Sequence, residues 1–136
     1  MFGILIVAHG DLGNLFLDTA NKILQEKSEN IYSFSVDWDC DFVQTKAALD
    51  KRVKKMISDF GSVLILTDLF GGTPTNLAMT QYKKSKVEVL TGINLPIVIK
   101  SIILQKTGNI LEDSISELRA KGQEAIVIVS DIIGEK

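Results

Sequence analysis

The sequence predicts an α/β fold, a doubly wound and mostly parallel open sheet. Three observations carry this reading. Residues 2–8 (FGILIVA) and 62–67 (SVLILT) are continuous apolar runs. Such runs suit parallel strands covered on both faces, which need no polar alternation. Strand patterns alternate four times with helix patterns, as in a right-handed wound sheet. Finally, two of the apolar runs end in a titratable residue, His9 and Asp68. In open parallel sheets the ligand crevice lies outside the carboxyl ends of the strands.

The first strand, 2–8, ends at His9-Gly10, and His9 is the only histidine. Asp11 is placed to cap a helix in which Leu12, Leu15, Phe16, Ala20, Ile23 and Leu24 recur at helical spacing. After a turn at 28–30, residues 31–36 (IYSFSV) alternate more and read as a strand near a sheet edge. Residues 37–41 (DWDCD) are a polar loop. A second helix runs from Phe42 to about Asp59, with Leu49, Val53, Met56, Ile57 and Phe60 on one face and Gly61 as its stop.

The third strand leads into Asp68, the pair Gly71-Gly72, and the helix-start signal Thr73-Pro74. Thr73 suits an N-cap and Pro74 the first helical position. A short helix to about Tyr82, a charged turn at 83–86 and a strand at 87–90 (VEVL) follow. The next helix, opened by Gly92 and Asn94 and reaching about Lys106, is apolar nearly all round. It is therefore either sandwiched in the core or covered by another subunit. A further helix spans 110 to about 121 with Leu111, Ile115 and Leu118 inward, and Gly122 ends it. Residues 124–130 (EAIVIVS) read as a fifth strand. Two helices precede it, so it should run antiparallel at the sheet edge. The expected order is 2-1-3-4 for the parallel strands, with the fifth exchanged in a dimer.

The 136 residues suit a single domain, 1–136, and 46% hydrophobic residues supply its core. The net charge of -2, with both signs interspersed, gives no footprint for nucleic acid. The basic cluster 51–55 (KRVKK) reads as a solvated helix face. Cys40 is the sole cysteine, which leaves no disulfide and no thiol pair. No secretion signal opens the chain, and its first apolar run is far short of the roughly 20 residues that span a bilayer. A cytoplasmic protein without membrane insertion is expected.

If strands one and three are neighbours, His9 and Asp68 can touch. A carboxylate that accepts one imidazole N–H fixes the tautomer and leaves the other nitrogen's lone pair exposed, making a nucleophile. Amides around Gly71, Gly72 and Thr73, at a helix N-terminus, suit an anion beside it. The combination suggests a histidine that accepts a phosphoryl group. One histidine without clustered carboxylates or thiols makes a poor metal site. A structural histidine and an ordinary turn aspartate remain the plain alternatives.

At ILIVAHG, LILTDLFGGTPTN and VLTGINLPIV the chain resembles the IIA domain of the mannose-type (mannose, fructose, sorbose) sugar phosphotransferase system. The resemblance runs from Gly3 to about Val129. It implies a phosphotransferase without cofactor or metal, in which His9 accepts phosphate from the phosphocarrier protein HPr and passes it to a histidine of IIB. Asp68 would orient His9, and Gly10, Leu69, Gly71, Gly72 and Thr73 would hold the phosphate. It also implies a homodimer whose last strand crosses to the partner, and membrane IIC and IID components as indirect partners. Leu69 stands where some members carry a threonine, so the pocket hydroxyl would be that of Thr73. No IIB domain follows the last strand, so IIB is expected as a separate protein. The alternatives are a phosphoryl-carrier subunit for dihydroxyacetone kinase, a receiver-like module and a flavodoxin-like carrier. The last two lack their signatures here, an acidic cluster or a hydroxyl-rich loop after strand one.

Overall fold

The computed structural model describes residues 1–134. Strands β1 (Gly3–His9), β2 (Ile31–Val36), β3 (Val63–Thr67) and β4 (Val87–Leu90) form one sheet in the order β2-β1-β3-β4. Every ladder between them is parallel. The helices are α1 (Leu12–Leu24), α2 (Phe42–Phe60), α3 (Thr73–Met79), α4 (Leu95–Lys106), α5 (Leu111–Glu124) and α6 (Val129–Ile133). The expected α/β class and the order 2-1-3-4 are both found.

The apolar runs explain the layers. Side chains alternate across a strand. Ile4, Ile6, Ala8, Leu64 and Leu66 therefore meet Ala20 of α1, Val98 and Ile102 of α4, and Leu118 of α5 on one face. Leu5, Val7, Val63 and Ile65 meet Leu49, Val53 and Met56 of α2, and Leu77 of α3, on the other. Each fully buried Leu or Ile side chain stabilises the fold by roughly 1.5–3 kcal/mol. β2 is an edge strand, as its alternation predicts, and Tyr32 on it is exposed.

The apolar helix α4 is sandwiched inside the chain, packing on α1, α5 and β1. It needs no second subunit to cover it. Its buried Gln105 donates from Nε2 to the carbonyls of Phe2 at 2.7 Å and Asn30 at 2.9 Å. That clamps α4 to the amino ends of β1 and β2.

Three local expectations are corrected. Gly122 does not end α5 but lies buried within it. A β-carbon there would come 2.4 Å from Ile97 Cδ1, so this glycine lets α5 pack closely against α4. Thr73 is not the cap of α3 but its first residue, and Gly72 takes the extended cap conformation. The fifth strand is also absent from the described chain. Helix α5 continues past Gly122 to Glu124, and residues 129–133 form α6. A strand needs a ladder partner, and among the described residues β4 has β3 as its one strand neighbour in the sheet. Ile126, Ile128, Val129, Ile132 and Ile133 are consequently exposed.

Candidate functional site

The parallel sheet brings the two titratable ends together. The β1–β3 register pairs Val7 with Thr67, so the next residue, Asp68, emerges beside Ala8 and within reach of His9. His9 closes β1 with its side chain 20% exposed, while that of Asp68 is 9% exposed. Asp68 Oδ2 lies 2.8 Å from His9 Nδ1 and also accepts the His9 backbone N–H at 3.0 Å.

Burial alone would raise the Asp68 carboxyl. The hydrogen bonds from the His9 amide and ring, with the charge on the ring, overcome burial and hold it below its ordinary value. Asp68 is thus ionised at neutral pH and can only accept. The ring proton of neutral His9 must then sit on Nδ1, which leaves the lone pair on Nε2. Nε2 has no hydrogen-bond partner among the described residues.

The turn after Asp68 shapes the other side of the imidazole. Gly71 adopts φ +89°, a left-handed conformation that favours glycine. Gly72 comes so close to the ring that a β-carbon there would sit 3.1 Å from Cε1 and 3.8 Å from Nε2 of His9. The carbonyl of Leu69 accepts the Gly72 amide at 3.2 Å and the Thr75 hydroxyl at 2.6 Å. Thr75 is buried, 2.8 Å from the equally buried hydroxyl of Thr67. These bonds pin the turn and turn the side chains of Leu69 and Phe70 out to solvent.

Of the expected phosphate-binding residues, Gly72 lies beside the His9 ring. Gly10 adjoins it but donates its amide to the Val36 carbonyl at 3.0 Å. Thr73 is exposed at the start of α3, and no hydrogen bond joins its hydroxyl to His9. The amides of Leu69, Gly71 and Thr73 donate to no other described residue. Among the described residues, no group of three or more His, Cys, Asp or Glu gathers where it could hold a metal ion. No described helix is long and apolar enough to cross a membrane.

Sequence reasoning missed Trp38 and the Thr67–Thr75 pair. Trp38 stacks on His9, with ring centroids 4.6 Å apart and planes 21° from parallel. Its signal was position alone: it follows β2 as Asp68 follows β3, at the same end of the sheet. Nothing in TPT marks Thr75, rather than Thr73, as the residue that turns inward.

Residues 3–118 match the family described as EIIA-man, PTS system fructose IIA component. The chain is 26% identical over 132 residues to the PTS system fructose-specific EIIA component of Bacillus subtilis (strain 168), covering 96% of this chain and 88% of that protein. Its fold is similar to phosphotransferase system component EIIA from Streptococcus agalactiae. There the TM-score is 0.82 and the identity 27%, over 96% of this chain and 99% of that one. The mannose/sorbose-specific IIA subunit from Enterococcus faecalis has the same fold, with a TM-score of 0.80 at 23% identity over 93% of each chain.

Proposed function

Since the chain belongs to the fructose IIA family of the phosphotransferase system, whose members carry phosphoryl groups, we propose that His9 is its phosphoryl acceptor. One observation carries the proposal: Asp68 Oδ2 at 2.8 Å from Nδ1 commits the lone pair to Nε2. In the reaction, Nε2 attacks the phosphorus of a phosphohistidine on HPr. The N–P bond of the donor breaks, and its electron pair stays with the donor's imidazole. Nδ1 keeps its proton, so the ring of His9 becomes cationic while it carries the phosphoryl group. The Asp68 carboxylate stabilises that charge, which is greater in the transition state than in the ground state.

The unengaged amides of Leu69, Gly71 and Thr73 are the donors available to the phosphoryl oxygens. Gly10 and Gly72 contribute room rather than donors, since their amides are engaged. Transfer onward to a histidine of IIB reverses the same step. Leu12 and Leu15 on α1 and Leu69 and Phe70 in the turn after Asp68 are exposed, and HPr and IIB would dock in turn on these apolar side chains. In this reading residues 1–136 act as one IIA unit in the cytoplasm, without metal or cofactor, and reach the membrane IIC and IID components only through IIB.

The protein acts as a homodimer in the same reading. The support is the exposed apolar segment from Ile126 to Ile133 and the outer edge of β4, which beyond an isolated bridge from Val87 to Lys83 pairs with no strand among the described residues. Beside that edge, Glu88 and Ile115 line two adjoining depressions between β4 and α5. The segment of one copy laid along β4 of the other would cover both exposed surfaces.

The test is labelling with phosphoenolpyruvate, enzyme I and HPr. The parent should gain one acid-labile, alkali-stable phosphoryl group. Undiminished labelling of His9→Ala would remove His9 from the reaction.

A further inference from the structure

Trp38 is the one tryptophan of the chain, and it is 82% exposed. A side chain of this size generally hides its apolar area when a core is available. Here one face of the indole lies against the His9 imidazole. The loop that holds it is anchored at both sides. The Cys40 amide donates to the Asp37 carbonyl at 3.2 Å, and Asp41 caps α2 by accepting the Gln44 amide at 3.0 Å.

We propose that Trp38 is a positioning residue for His9, holding the imidazole plane and favouring its phosphorylated, cationic form. This rests on the reading of His9 as the acceptor. A single hydrogen bond to Asp68 fixes Nδ1 but leaves the ring free to swing about that bond. The indole blocks one face, and Gly72 lies beyond the Cε1 edge, where the space is too narrow for a β-carbon, which would sit 3.1 Å from Cε1. Together these three contacts define where Nε2 points.

The indole also acts electrostatically. When the Nε2–P bond forms and Nδ1 keeps its proton, the ring under Trp38 turns from neutral to positive. Tryptophan presents the most favourable aromatic face to a cation, and the attraction is small at exposed sites. It grows as the reaction proceeds, so it assists transfer rather than mere binding.

Phosphoramidate tests this without any partner protein. Its P–N bond breaks as Nε2 binds phosphorus, and ammonia leaves. Labelling of the parent, His9→Ala, Trp38→Ala and Trp38→Phe is followed by phosphorus NMR. Trp38→Ala should label about threefold to tenfold more slowly than the parent, and Trp38→Phe should recover most of the rate. Indole emission of the parent should change in step with phosphohistidine formation. If Trp38→Ala labels at the parent rate while His9→Ala stays unlabelled, the positioning role falls and the acceptor stands. If His9→Ala labels as fast as the parent, both fall. An increase in KM for phospho-HPr in Trp38→Ala, with the phosphoramidate rate unchanged, would make the indole a docking surface and overturn the proposal.

Discussion

One oxygen of Asp68 accepts both the backbone amide and the ring Nδ1 of His9. The other, Oδ1, is buried without a partner among the described residues. The carboxylate therefore fixes the main chain and the side chain of His9 together.

Asp68→Asn should fold but transfer phosphate poorly. The amide oxygen can take over both bonds, yet the charge that balances the cationic ring is gone. Orienting carboxylates of this kind contribute roughly 10²–10⁴-fold in rate. The amide NH₂ would occupy the position of the unpartnered Oδ1, and a buried unsatisfied donor costs about 1–3 kcal/mol. Transfer kinetics and urea unfolding measure the two effects separately. Parent-like kinetics would leave Asp68 as a turn residue.

Acid should erase the stability advantage of the parent over this variant. The Asp68 carboxyl sits below its usual value in the folded protein, against burial, because His9 donates to it twice. A depressed carboxylate stabilises the fold above the unfolded value of about 3.9. That contribution is lost as pH falls through the lowered folded value. The gap between the urea midpoints of the two proteins should hold above about pH 3.9 and narrow steadily as pH falls below it. A gap that stays constant would mean that the ionised carboxylate is not what separates them.

Gly72→Ala should slow transfer with little loss of stability. The added methyl would meet His9 Cε1 at 3.1 Å, and the ring must tilt to make room. Gly72 has φ -84°, which alanine tolerates, so the damage should be confined to His9. The check is the rate of phosphorylation from phospho-HPr beside the thermal midpoint. An unchanged rate would mean that the ring does not need its observed orientation.

Light scattering at micromolar concentration should give a mass near twice the 15.0 kDa of one chain. Truncation after Glu124, where α5 ends, removes the exposed apolar segment and should yield a monomer or an insoluble chain. A monomeric parent would rule out the dimer. A truncated chain that is an equally stable dimer would place the interface elsewhere.

The sheet was legible because its two central strands, β1 and β3, are apolar on both faces, a pattern that few other elements share. His9 and Asp68 were legible because each ends such a run. Gly122 was misread because sequence alone cannot distinguish a glycine that stops a helix from one that admits a neighbour, here Ile97. Residues 124–130 have strand composition, but composition does not supply a ladder partner. Trp38 lay within a run of aspartates, and its stacking on His9 comes from how β1 and β2 end side by side. The role of Thr75 depends on the pitch of α3, which begins one residue earlier than its Thr-Pro signal suggests.

The clamp from Gln105 has a consequence for synthesis on the ribosome. It joins residues 103 positions apart, Phe2 and Gln105, and its second bond reaches back to Asn30. Until the nascent chain has emerged well past Gln105, the amino ends of β1 and β2 lack the group that satisfies two of their carbonyls. The first strand to leave the exit tunnel is also central in the sheet, between β2 and β3. Its final neighbour, β3, is made 60 residues later by the register. Contacts so distant along the chain form slowly and keep apolar strands open to wrong partners meanwhile. GILIVAH therefore waits for its second strand partner until residues 63–67 have emerged.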